Sequence, residues 1–126
     1  PAPPRADDAQ PCFARGTHAV GARGEPVPMA ALKSGDVVMD GRSSYSRVIV
    51  NQHRAAAVAS PLLQLRHADG ELSLTPDHVL QAGGIFVAAR CVSVGTKLGE
   101  SEVSHIAAVH GEVVNPLTAS GKILTH

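Results

Sequence analysis

Cys12 stands at a seam in the chain, between a Pro-rich leader, PAPPRADDAQP, and the segment CFARGTHAV. A cysteine by itself reads first as a small buried hydrophobe. It acts as a nucleophile only as the thiolate, which needs a nearby donor or cation to lower its pKa. Whether Cys12 has such a partner depends on the rest of the chain. An imidazole, with an unperturbed pKa of about 6.5, can give or take a proton near neutrality. Nucleophilic catalysis is the chemistry that a Cys paired with a His allows.

The other reactive side chains read more plainly. Cys91 is expected as a small core residue, His18 as a structural strand residue, and Asp36 in LKSGDVV as the closure of a turn. The chain has seven histidines, but none falls at the close Cys/His spacings of structural zinc, so neither a metal nor a cofactor is expected. Asp69 and Glu71 in HADGEL lack an identifiable partner for paired-carboxylate hydrolysis. Two distant cysteines allow at most one disulfide and form no CxxC.

Composition narrows the function classes. The apolar mass is Val, Leu, Ile and Ala, and the only aromatics are Phe13, Tyr45 and Phe86, which argues against base or sugar stacking platforms. Lys plus Arg, 11, balances Asp plus Glu, 11, so no basic footprint for nucleic acid is expected. No apolar run approaches the roughly 20 residues of a membrane span. A length of 126 residues fits one domain, expected as a monomer.

Strands must position the reactive set. In LLQLRHADGELSLT, Leu63 and Leu65 alternate with Gln64 and Arg66, Asp69-Gly70 reads as a two-residue turn, and Leu72 and Leu74 alternate with Ser73 and Thr75. HVLQAGGIFVAA reads as a second hairpin with Gly83-Gly84 at its tip. YSRVIVNQH, SEVSHIAAVHG, EVVN and KILT read as further strands, while MAALKSG and AARCVSVG offer single helical turns at most. The leader, residues 1–11, lacks apolar periodicity and reads as an extended arm, with order beginning at Cys12. The class is all-β.

The chain also repeats weakly. Shifted by 60 residues, HAVGARGEPVPMAALKSGDVV lies over HVLQAGGIFVAARCVSVGTKL, so that His18 meets His78, Gly24 meets Gly84, Val27 meets Val87 and Gly35 meets Gly95. Each half would be a strand, a Gly turn, a second strand and a tight Gly bend. Two related β-units about a pseudo-twofold axis follow.

Taken in order, CFARGTHAV from Cys12, LKSGDVV at 32–38, YSRVIV at 45–50, LSLTPDHVL at 72–80 and NPLTASGKIL at 115–124 resemble the Hint domain. That self-cleaving module is shared by hedgehog C-terminal domains and inteins. It opens with Cys, then shows a Leu-x-x-Gly-Asp turn and a Thr-x-x-His box, and in the hedgehog branch a Pro-Leu-Thr…Gly segment. The resemblance covers nearly everything after the leader, leans to the hedgehog branch, and carries the pseudo-twofold β fold with it. It implies a Hint-type domain at 12–126 preceded by the flank 1–11.

It also implies a single-turnover, autocatalytic reaction. In an N-to-S acyl shift the Cys12 sulfur would attack the carbonyl of Pro11, and the Pro11–Cys12 peptide would become a thioester. Nucleophile and target are neighbours in the chain, which supplies a high effective molarity. By the resemblance His78 protonates the leaving Cys12 nitrogen and Thr75 orients or polarises the scissile peptide. A second nucleophile then takes the acyl group, so the partners are the upstream polypeptide joined to Cys12 and a small acceptor. Hedgehogs activate a sterol hydroxyl with an Asp where this chain has His53. His53 is therefore a candidate base, and the acceptor stays open among water, a thiol and an alcohol such as a sterol. Hedgehogs also carry Gly before the Cys, and the ring of Pro11 is expected to slow cleavage. A hedgehog-like protein would work in the secretory pathway or outside the cell.

Two other readings stand beside this one. An intein-like splicing element ends in His-Asn, and GKILTH stops at His126, as a chain trimmed before that Asn would. An inert β-rich binding module would keep Cys12 buried and unreactive.

Overall fold

The computed structural model describes residues 12–52 and 58–126, and its regular structure is almost wholly strand. In chain order these are β1 (Phe13–Ala14), β2 (His18–Val20), β3 (Pro26–Pro28), β4 (Val37–Gly41), β5 (Ser44–Gln52), β6 (Ala59–His67), β7 (Gly70–Leu74), β8 (Val79–Ala82), β9 (Ile85–Ala88), β10 (Lys97–Leu98) and β11 (Ser101–Thr118). Among the described residues, helix is confined to two single 3-10 turns, η1 (Met29–Ala31) and η2 (Ala89–Cys91), in the two stretches expected to form them. The all-β class holds. The described chain divides into two units, residues 12–14 with Ala59–Val113, and residues 15–52 and 58 with Val114–His126.

The first unit is organised by the alternating leucines. β6 and β7 pair antiparallel with Leu63 opposite Leu74 and Leu65 opposite Leu72. Leu65 and Leu74 are fully buried, a burial worth roughly 1.5–3 kcal/mol for each such side chain. The turn differs by one position from the expectation: His67 pairs with Gly70, so Ala68-Asp69 form the loop and Gly70 opens β7. Cross-strand leucine pairing sets the register, and that register moves the loop back by one residue. β1 lies on the outer side of β7 and β11 on the outer side of β6, while β10 pairs with the start of β11. β8 and β9 form the expected hairpin, with Ala82 opposite Ile85 and Gly83 and Gly84 at φ +61° and +86°. Two successive positive-φ residues are what a two-residue turn of this hand requires.

The second unit pairs β4 with β5 and β5 with the last part of β11, beside the hairpin of β2 and β3. Met29, Leu32, Val38 and Val48 form its buried core. The SEVSHIAAVHG and EVVN stretches, expected as two strands, are one. Gly111, which reads as a break, keeps its place in the ladder opposite Ser60 because β6 continues alongside it. KILT, conversely, forms no full strand and makes only an isolated bridge between Thr125 and Ala19. Backbone bonds still tie it down: Val20 N–H to Leu124 O (3.1 Å), Leu124 N–H to Met39 O (2.9 Å) and His126 N–H to His18 O (2.9 Å).

The repeat is real at the level of hydrogen bonds. Leu32 N–H donates to Met29 O and Val92 N–H to Ala89 O, both at 3.1 Å. Gly35 N–H donates to Val48 O and Gly95 N–H to Val103 O, both at 2.8 Å, and both glycines have φ +95°. Asp36 Oδ2 accepts from Lys33 N–H (3.0 Å), as Thr96 Oγ1 accepts from Ser93 N–H (3.3 Å), so Asp36 closes its turn as expected. The two hairpins differ in register by one residue: Ala19 faces Val27, whereas Leu80 faces Val87. Two related β-units therefore make up the chain.

Candidate active site

β7 builds the site. Its last residue, Leu74, pairs with Phe13 of β1, so the residues on either side, Thr75 and Cys12, are brought alongside each other from 63 positions apart. The pairing continues past the strand ends, with Thr75 N–H donating to Cys12 O at 2.9 Å. The Thr75 side chain closes the same contact. Its Oγ1 accepts from Cys12 N–H at 2.9 Å and donates to Cys12 O at 3.3 Å. Both residues are buried, Cys12 at 2% and Thr75 at 1% exposed. Burial of a hydroxyl is tolerated here because its donor and its acceptor capacity are both used.

After Thr75 the chain turns through Pro76 and Asp77, and His78 N–H donates back to Thr75 O at 3.0 Å. Pro76 sits in the second position of that turn, where its fixed φ suits the bend. The turn returns the imidazole to the strand pair: His78 Nδ1 donates to Cys12 O at 3.1 Å. That bond puts the proton of the neutral ring on Nδ1 and leaves Nε2 as the acceptor. Phe13 packs on the ring, centroids 4.2 Å apart and planes tilted by 55°. Half-burial of His78 lowers its pKa from the ordinary 6.5, and the bond to the Cys12 carbonyl opposes that shift only in part.

Cys12, Thr75 and His78 thus converge on one residue's backbone. The amide nitrogen of Cys12 is held by Thr75, and its carbonyl oxygen by Thr75 and His78. An imidazole, a hydroxyl and a thiol-bearing residue so arranged can activate the peptide bond on the N-terminal side of Cys12. Pro11, which carries the other half of that peptide, and His53 lie outside the described residues, as does the leader.

Three further residues shape the site without having drawn attention in the sequence. Phe13 is one of only two phenylalanines and directly follows Cys12. Asp77 lies inside the Thr-x-x-His box and forms an ion pair with Arg90. A charged residue one step before the histidine of that box was the available signal for Asp77, whereas only the fold joins it to Arg90. Cys91, expected in the core, is exposed at the end of η2. The short turn buries Ala89 instead and carries the next two side chains outward. Cys12 and Cys91 are not joined in a disulfide. His18 is exposed on β2, where its carbonyl receives the His126 amide.

Comparison with solved structures identifies the fold. A substituted variant of the gp41-1 intein superimposes with a TM-score of 0.74 at 14% identity, over 93% of this chain and 99% of that one. A bacterial intein-like domain from Clostridium thermocellum gives 0.71 at 21% identity, over 91% and 97%. A DnaB intein from Synechocystis sp. PCC 6803 gives 0.72 at 10% identity, over 93% and 98%. At such identities the likeness is one of fold: this chain has the Hint fold. The expected leaning to the hedgehog branch finds no support in these likenesses, which are to inteins and an intein-like domain. No protein-family model matches the chain, and no curated protein matches it.

Proposed function

We propose that this chain is an intein-like self-processing domain, residues 12–126, that acts on the peptide joining it to Pro11. The observation that carries the reading is the grip on Cys12, with its N–H on Thr75 Oγ1 at 2.9 Å and its carbonyl on His78 Nδ1 at 3.1 Å. The Cys12 thiol gives its proton to the His78 imidazole and its sulfur adds to the Pro11 carbonyl carbon, forming the C–S bond. The C–N bond then breaks, its electron pair passes to the Cys12 nitrogen, and that nitrogen takes up a proton. Thr75 holds the nitrogen in place, and His78 supplies the proton. A burial-lowered pKa makes the His78 imidazolium a stronger acid than an ordinary one, so transfer to the nitrogen is favoured once the ring is charged.

The thioester must then pass to an acceptor. Intein-like splicing is supported by the fold and by the fastening of the chain's last residues, since His126 N–H is bonded to His18 O and Thr125 bridges Ala19. Whatever follows His126 would start from a defined position. In this reading an Asn and then a Cys, Ser or Thr placed after His126 would complete a splicing junction. Transfer to a small nucleophile such as water, a thiol or an alcohol is the competing outcome, with His53 as its candidate base.

Intact-mass spectrometry tests the first step. Incubation with dithiothreitol or hydroxylamine is expected to release the 1–11 segment from the parent and not from Cys12→Ala. Persistence of the full mass in the parent and in Pro11→Gly would overturn the reading in favour of an inert module. Extending the chain by Asn-Cys and a short tag separates the acceptors: a product joining 1–11 to the tag marks splicing, and free 1–11 marks transfer to a small nucleophile.

A further inference from the structure

We propose that Asp77 and Arg90 are positioning residues, a clamp that holds the 75–78 turn on η2 and so fixes the His78 imidazole against Cys12. For its effect on cleavage, though not on the ring itself, this rests on the self-processing reading above. Each residue of the turn beyond Thr75 is tied to the same short element. Arg90 N–H donates to Pro76 O at 2.9 Å, the Arg90 guanidinium pairs with the Asp77 carboxylate, and Ala89 N–H donates to His78 O at 2.9 Å. η2 itself is anchored, because Ala89 is 1% exposed and Val92 N–H donates back to Ala89 O at 3.1 Å.

The ion pair is solvent-exposed on both sides, 59% for Arg90 and 57% for Asp77. Such a pair adds little to global stability, since water screens it and two long side chains must be ordered. Its value is geometric. One guanidinium nitrogen, Arg90 Nη1, meets one carboxylate oxygen, Asp77 Oδ1, and so ties the Asp77 side chain to η2. Asp77 immediately precedes His78, so a tether on its side chain limits the backbone that carries the imidazole. Without the clamp the two backbone bonds remain, and the turn can rock about them. The expected consequence is a ring that spends less time on the Cys12 carbonyl, not a protein that unfolds.

The experiment compares the parent, Arg90→Ala and the exchanged pair Asp77→Arg with Arg90→Asp, all carrying residues 1–11. Two quantities are read: hydrogen exchange of the His78 Nδ1–H by NMR, and dithiothreitol-induced release of 1–11 by mass. Arg90→Ala is expected to speed ring exchange and to slow release, each about two- to fivefold, and the exchanged pair is expected to restore both toward the parent. Arg90→Gln gives the same reading if Arg90→Ala does not fold. A ring signal identical in parent and variant overturns the clamp whatever the release rates, as does an exchanged pair that behaves like the single variant. If neither the parent nor its Pro11→Gly version releases 1–11, the self-processing reading fails, while the ring signal still decides the clamp.

Discussion

At the scale of the residue, Cys12 is controlled through its backbone. Its amide and carbonyl are held by two residues that arrive from 63 and 66 positions away, so any change at Thr75 acts on Cys12 directly. Thr75→Ala leaves the buried Cys12 N–H without its acceptor, expected to cost about 1–3 kcal/mol in urea denaturation. Thr75→Ser, which keeps the hydroxyl, is expected to recover most of that loss and most of the cleavage rate. His78→Ala is expected to slow thiol-induced release of 1–11 by about 10²- to 10⁴-fold, the usual worth of a general acid. Measurement by intact mass over a time course decides it, and a rate within a factor of two of the parent would remove His78 from the chemistry. Cys12, Thr75 and His78 could be named as candidates from the sequence because the motifs that hold them resemble those of the Hint domain in type and order. Which atoms meet was not legible. His78 lies on the carbonyl of Cys12, while Thr75 takes the nitrogen, because the strand pairing places Thr75 abreast of Cys12 and the turn carries His78 one step further round.

At the scale of the element, the doubled Gly bend is the clearest inheritance of the repeat. Gly35 and Gly95 share φ +95°, donate equivalent 2.8 Å bonds, and have open space where a Cβ would stand. Gly35→Ala and Gly95→Ala should therefore cost the same, about 1–2 kcal/mol each from the left-handed backbone alone, with no added clash. Urea denaturation of the two single variants checks this, and a difference well beyond 1 kcal/mol would mean the bends are not equivalent. Local pattern served well wherever a turn's chemistry is self-contained, as at Gly83-Gly84 and at the two 3-10 turns. It failed by one residue at Ala68-Asp69, where the leucine pairs across β6 and β7 outweigh the turn preference of Asp-Gly. Continuous pairing with β6 likewise carried β11 through Gly111, a residue that by itself reads as a stop.

At the scale of the whole molecule, the half-buried imidazole links stability to pH. His78 has a folded pKa below its ordinary 6.5, so the unfolded chain takes up a proton more readily than the folded one. Its contribution is present in full above about pH 6.5 and is lost as pH falls from there through the lower folded value. Thermal melts of the parent against His78→Gln are expected to run parallel from pH 7 to 8 and to converge or cross below pH 6.5, since only the parent loses this increment on acidification. Curves that stay parallel to pH 5 would show that His78 is not held neutral by burial. The order of the motifs, the all-β class and the two related units were legible in the sequence alone, because alternation and turn chemistry are written in neighbouring positions and the repeat in a shift of the chain against itself. The tertiary structure alone decided the exposure of Cys91, the tilted packing of Phe13 against His78, the Asp77–Arg90 pair and the division of Cys12's backbone between Thr75 and His78. Those depend on which strand lies against which, and non-local pairing is set by the burial of Leu65, Leu74 and their neighbours together rather than by any short stretch of chain.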